Sequence, residues 1–247
     1  MPLMTRSARG AQQRSMPTPD RRRVIAVDGK TLRGSRSGED PGRHLLATLD
    51  HTHGMVLGQV DVVAKTNEIP LFATLLDRIQ LTDAVVTADA LHAQRGHATY
   101  LVDQRGAHYV LTVKGNQPSL HAQLAALPWR DIPLADDARN HGHGRAEWRT
   151  LKVTSVTTGL LFPHAAQAIQ IIRRRKPPGA KKWSTETVYA ITSLSPAQAS
   201  PADLAEILRG HWTIENRLHW ATSPSVKTSP RSAPTTDPAS WPASATS

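Results

Sequence analysis

The sequence predicts an α/β fold, a mixed β-sheet flanked by helices. Two observations carry this. Three strand-like stretches near the N-terminus read as an antiparallel meander, and the segments after them alternate between helical and strand periodicity. Two largely apolar runs, residues 24–27 and 84–88, each break off at an aspartate, Asp28 and Asp89. Short apolar runs bounded by turn residues are the pattern of strands buried on both faces.

The elements follow in order. Residues 1–23 are polar and basic, with Pro17, Pro19 and Arg21-Arg22-Arg23, and read as a flexible arm. The opening strand leads through Asp28 into the basic loop Gly29-Lys-Thr-Leu-Arg33-Gly-Ser-Arg36. An aspartate before glycine is commonly a turn former; the alternative is a metal ligand or catalytic acid mounted on a rigid strand. Residues 44–50 and 55–63 give the second and third strands around the turn His51-Thr-His-Gly54. Asn67-Glu-Ile-Pro70 opens a helix, with Asn67 as N-cap, Pro70 in the first turn, and Leu71, Leu75, Leu76 and Ile79 at helical spacing. After the strand ending at Asp89 come a helix over 96–105 and a strand over 108–113. Lys114-Gly-Asn116 ends that strand, and a helix over 118–127 follows.

Residues 128–183 are richer in Gly, Pro and charge. Strand-like stretches at 146–156 and 168–174 look more exposed. Arg173-Arg-Arg-Lys176 and Lys181-Lys182 bracket Pro177-Pro-Gly179, so this region reads as an inserted β-rich subdomain with a basic hairpin tip. His141-Gly-His-Gly144 reads as a Gly-rich loop. Strand composition returns at 186–193. Ser200-Pro-Ala-Asp203 then starts a helix. Leu204, Leu208, His211, Glu215 and Leu218 follow helical spacing, which sets Glu215 on an apolar stripe. A carboxylate there is costly unless paired or metal-bound. Residues 221–247 are Ala, Ser, Thr and Pro without periodicity and read as disordered.

The 247 residues carry 30 Lys and Arg against 20 Asp and Glu, a net charge of +10. That excess points to a polyanionic partner, nucleic acid before membrane. With no cysteine, disulfides, thiolate zinc sites and a thiol nucleophile are excluded, and a cytoplasmic location is expected. No apolar run approaches the roughly 18 residues that span a bilayer, and no signal-peptide core stands at the N-terminus, so no membrane partner is expected.

Three acids therefore stand out: Asp28 and Asp89 at strand ends, and Glu215 on a late helix. A helix crossing the sheet can bring them together. Clustered carboxylates repel and need cations, and hard oxygen ligands favour Mg²⁺ or Mn²⁺. Two such ions roughly 3.5–4 Å apart support in-line displacement at a phosphodiester.

Five motifs in this order resemble one family: IAVDGKTLRGS at 25–35, DALHAQ at 89–94, YVLTVKGNQ at 109–117, GHGRAEWR at 142–149 and RGHWTIENRLHW at 209–220. They are similar to the DDE transposases of bacterial insertion sequences, of ISAs type, also called H-repeat-associated proteins. The resemblance implies an RNase H-like catalytic domain over residues 24–220, two divalent metal ions, and cleavage and joining of DNA strands at transposon ends and target. It implies a homodimer as the active assembly. Carried over, Asp28 is the first catalytic aspartate, Asp89 the second and Glu215 the glutamate. Lys30, Arg33, Lys114, Asn116, His211 and Trp212 fall at motif positions expected near DNA, the last two matching the signature preceding the glutamate.

One departure follows Trp220. The family continues with a pattern like Asp-Val-Thr-Phe-Gly-Glu-Asp, whereas Ala221-Thr-Ser-Pro-Ser-Val-Lys-Thr-Ser-Pro-Arg231 stands here. Permitted codons for that run, read two nucleotides along, give Asp-Val-Thr-Phe-Gly-Glu-Asp-Leu-Ser. The expectation is a frameshifted, truncated transposase with impaired transposition. The alternatives are a non-catalytic DNA-binding remnant and a nuclease without strand transfer.

Overall fold

The computed structural model describes residues 22–32, 42–63, 67–142, 145–156 and 160–221, with the backbone alone at 141, 142, 145 and 213–221. Its frame, among the described residues, is one nine-stranded mixed sheet. The strands are β1 (Val24–Thr31), β2 (His44–Asp50), β3 (Val56–Val62), β4 (Val85–Ala88), β5 (His108–Val113), β6 (Asp136–Gly142), β7 (Arg145–Ser155), β8 (Gln167–Lys176) and β9 (Ser184–Thr192), in the spatial order β3-β2-β1-β4-β5-β9-β8-β7-β6. The predicted meander is present: β1–β2 and β2–β3 are antiparallel. β1, β4 and β5 are mutually parallel, and every later neighbour is antiparallel.

Strand alternation builds two cores. Ile25, Val27, Val86, Ala88, Tyr109 and Leu111 face one side. There they meet α1 (Leu71–Leu76), α2 (Arg95–Thr99), which runs on as a π-helical turn over Tyr100–Gln104, and α3 (Pro118–Ala125). Val24, Val85, Val110, Ile169, Ile171, Val188 and Ala190 face the other side, against Leu204, Ala205 and Leu208 of α4 (Pro201–Ala221). Central strands covered on both faces explain why the runs at 24–27 and 84–88 are largely apolar, with Thr87 the one polar residue in them.

Several local expectations are corrected. Asn67 does not cap α1; its Oδ1 accepts from Ile69 N at 3.1 Å in an Asx turn, and the helix starts only at Leu71 with Pro70 at the cap position. The arm yields its last two residues to the fold: Arg22 Nε meets Asp83 Oδ1 at 2.8 Å and Arg23 Nε meets Asp50 Oδ2 at 2.9 Å. The strands of the stretch 128–183 are joined to the main sheet: β9 pairs directly with β5, and β8, β7 and β6 extend it from there. The first half of β8 is buried, and exposure sets in toward the basic hairpin tip. His141 belongs to β6, and its partner in that motif, His143, lies outside the described residues.

The helix start at 200–203 is as expected. Ser200 N and Oγ donate to Asp203 Oδ2 at 2.9 and 2.6 Å, and Asp203 N donates back to Ser200 Oγ at 3.3 Å, a reciprocal capping box ahead of Pro201. Residues 1–21 and 222–247, with the expected disordered tail, lie outside the described residues. No helix among the described residues is long and apolar enough to cross a membrane.

Candidate active site

Asp28 and Asp89 are brought side by side by register. The parallel ladder pairs Val27 with Ala88, so the two aspartates are the next residues on neighbouring strands. β4 stops there because Asp89 Oδ1 accepts from Leu91 N at 3.0 Å and caps a 3₁₀ turn over Ala90–His92. β1 does not stop at Asp28, contrary to expectation; it runs to Thr31 against β2. The ladder opens only on the β4 side of Asp28, where a cavity of about 130 Å³ is lined by Asp28, Asp89, Thr112, Lys114, His211 and Trp212.

Within it, Asp28 is largely buried and Asp89 is exposed. Lys30, two residues on and therefore on the same face of β1, sets its Nζ 2.8 Å from Asp28 Oδ2. This is a charge contact without hydrogen-bond alignment, since Oδ2 is buried and accepts no hydrogen bond. Lys30 is thus a buried counter-ion. Lys114 and Asn116 are exposed. Lys114 lines the cavity, and Asn116 Nδ2 donates to Ala90 O at 2.6 Å, tying the end of β5 to the turn behind Asp89. Arg33 lies outside the described residues.

α4 is clamped over these strands by one hydroxyl. Thr87 Oγ1 lies 2.9 Å from His211 Nδ1 and 3.2 Å from His51 Nε2. A threonine has one proton to donate, so it donates to one imidazole and accepts from the other. Burial first, then the charge of His211, depresses the His51 pKa to about 4 against an opposing pull from Asp50. The helix starts beside Val24 and Val85 at the beginnings of β1 and β4, and His211 sits over Thr87 near the end of β4. Glu215 is one turn, about 6 Å, farther in the same direction. Its side chain lies outside the described residues. Among the described residues, no three acidic or histidine side chains are grouped to hold a metal.

Sequence reasoning missed the support behind the aspartates. On the opposite face of β1, Glu68 Oε1 meets His44 Nε2 at 2.5 Å and Glu68 Oε2 meets His92 Nε2 at 3.1 Å. Burial pushes the Glu68 carboxyl up, but hydrogen bonds from His92 and His44 outweigh it and hold it below the usual range. His92 is fully buried and packs near Phe72 and His97. This network joins β2 to the turn that carries Asp89, and the glycine after Asp28 makes room for it. A Cβ on Gly29 would meet Glu68 Oε1 at 2.0 Å. The available sequence signal was Gly29 itself, a residue whose lack of a Cβ permits close approach.

Chemically, two neighbouring carboxylates opening on a polar cavity are oxygen donors of the kind that suits a hard divalent cation. The family described as "Transposase DDE domain" matches residues 19–226. The chain is 32% identical over 215 residues to "Putative transposase YncI" of Escherichia coli O157:H7, covering 80% of this chain and 53% of that protein. It is 30% identical over 221 residues to "H repeat-associated putative transposase YhhI" of Escherichia coli K12, covering 84% and 57%. The chain therefore spans about half the length of these relatives. Among solved structures, a piggyBac transposase synaptic complex with hairpin DNA gives a TM-score of 0.44 at 13% identity over 81% of this chain and 40% of that one, too distant to bear on the fold. With the family matched along most of its length, the chain belongs to the DDE transposases, in the H repeat-associated group.

Proposed function

We propose that this chain carries the RNase H-like catalytic domain of an insertion-sequence transposase and performs metal-dependent DNA strand cleavage and strand transfer at transposon ends. The observation that carries the reading is the Val27–Ala88 register, which leaves Asp28 and Asp89 adjacent at one cavity. The strand order β3-β2-β1-β4-β5, with only β1, β4 and β5 parallel, supports the fold.

The residues fit a divalent cation: all donors are hard oxygens, and Asp28 Oδ2, in charge contact with Lys30, is buried without a hydrogen bond. Asp28, Asp89 and Glu215 would hold two Mg²⁺ or Mn²⁺ ions. When bound, these supply a Lewis acid for the phosphate and acidify the attacking water or 3′-hydroxyl. Lys30 limits the repulsion between the carboxylates, and Lys114 at the rim meets backbone phosphate. The Thr87 clamp on His211 holds α4, and with it the turn bearing Glu215, against β4. The active assembly is a homodimer working on transposon ends and target DNA in the cytoplasm.

The test is cleavage of a duplex bearing the element's end sequence in Mn²⁺. The expected result is nicking by the wild type, none by Asp28→Asn, and DNA affinity retained by both. Nicking by Asp28→Asn at the wild-type rate rejects the assignment. A second reading, an inactive DNA-binding remnant, is favoured by the shifted-frame text at 221–231. A frame-restored chain that cleaves and joins where this one only binds supports it. Equal activity in both removes it, as does a gene in which no shifted frame encodes that peptide.

A further inference from the structure

The GHGRAEWR motif has no part in the acid site, yet β7 and β8 carry it to that site's edge. Leu151 and Ile171 belong to the core under α4. Two and four residues outward on the same face lie Arg149 and Glu147 on β7, and Arg173 and Arg175 on β8, with Arg149 opposite Arg173 and Glu147 opposite Arg175. One carboxylate oxygen gathers all three guanidiniums: Glu147 Oε1 accepts from Arg149 Nε at 3.0 Å, Arg173 Nε at 3.1 Å and Arg175 Nε at 3.3 Å. The Trp212 ring lies against two of them, 5.0 Å from the Arg149 and 4.7 Å from the Arg173 guanidinium carbon. Arg173 and Trp212 line the cavity that holds Asp28 and Asp89.

The charges do not balance. Among the described residues, Glu147 is a single charge against three, and the exposed Glu186, cross-strand neighbour of Arg173, offsets one more. Each guanidinium has five N–H donors, far more in sum than one carboxylate accepts. Burial, and then the charges of Arg175 and Arg149, push the Arg173 pKa down, the mark of crowded cations. Such a cluster is relieved by an anion with several acceptor oxygens, and guanidinium forks match phosphate geometry.

We propose that Glu147 holds Arg149, Arg173 and Arg175 as a preorganised array that grips DNA backbone phosphates flanking the scissile one, with Trp212 as its supporting platform. The inference rests on the DNA-processing reading above and adds the residues that grip the strand. Glu147 is then a positioning residue: its negative charge serves binding of a polyanion by aligning the cations around it.

The opposite face of the sheet supplies an internal control, because Arg139 on β6 and Arg174 on β8 stand there on either side of Trp148, each 4.8 Å from its ring. The experiment is fluorescence anisotropy of the full chain with a labelled DNA duplex in EDTA, over a salt series, with thermal unfolding to verify folding of each variant. Arg175→Gln is expected to lower the slope of log affinity against log salt by about one, and Arg139→Gln to leave it unchanged. Glu147→Gln, which makes the chain more positive, is expected to bind more weakly. Equal loss from Arg175→Gln and Arg139→Gln, or tighter binding by Glu147→Gln, overturns the array. Absence of any DNA binding by the wild type overturns the underlying function as well, whereas binding without a face preference overturns the array alone.

Discussion

Thr87 illustrates how much one side chain carries. Its hydroxyl is buried between His51 and His211, and both imidazoles depend on it. Thr87→Val keeps the shape and strands two ring nitrogens; it should cost about 1–3 kcal/mol, read by chemical denaturation. The pair also sets a pH dependence. His51 is held neutral in the fold, with a pKa of about 4 against 6.5 for the free residue. The unfolded chain takes up its proton first as pH drops, so this stabilisation is complete above about pH 6.5 and is lost between 6.5 and 4. The loss is on the order of 3 kcal/mol at the low end. His97 and His108 are shifted down as well, both by burial first, and act with the same sign. His51→Gln should therefore flatten, without abolishing, the fall of melting temperature with acid.

At the level of elements, α4 depends on a residue that helix propensity disfavours. Alanine in place of a helical glycine is worth about 1 kcal/mol. At Gly210, however, a Cβ would stand 2.6 Å from His51 Nδ1 and 3.1 Å from Cε1. The ring is stiff and already committed to Thr87, so steric cost wins. Gly210→Ala should lower the melting temperature and, by lifting α4 from β1 and β4, suppress cleavage more than DNA binding. Elements of this kind were unevenly legible. β1, β4 and β5 were readable because apolar strands buried on both faces have a local signature, and the 200–203 cap because its partners are three residues apart. β6 was missed because Asp136–Gly142, on the edge of the sheet, is polar and pairs only with β7. The Asn67 cap failed because its side chain closed a shorter turn first. Asp28 and Asp89 were visible as residues, but their adjacency is a fact of register. The His44–Glu68–His92 network joins three segments far apart in sequence, and no spacing encodes it.

For the whole molecule, the +10 charge is unevenly used. Part of it is spent internally, as in Arg23 on Asp50 and Arg105 on Asp77 and two backbone carbonyls, Leu76 O and Ile79 O. At the acid cavity, Lys30 is likewise paired with Asp28, while Lys114 is exposed at the rim. Metal binding should register globally, because an ion that binds only the folded chain stabilises it by about 2.7 kcal/mol at a hundred times its Kd. Mn²⁺ should therefore raise the melting temperature, EDTA should reverse the rise, and Asp89→Asn should blunt it. A melting temperature indifferent to Mn²⁺ in the wild type would remove Asp28 and Asp89 as metal ligands.

The unbroken sheet has a mechanical corollary. From β4, which carries Asp89 at its end, to β8, which carries Arg173, there are three hydrogen-bonded steps through β5 and β9, about 14 Å across. That interval is ruled by backbone ladders, with no loop or hinge inside it. On the function proposed above, the protein is a fixed gauge between the Asp28–Asp89 cavity and the arginine array. On that reading, any curvature or unwinding that cleavage demands is expected to come from the nucleic acid.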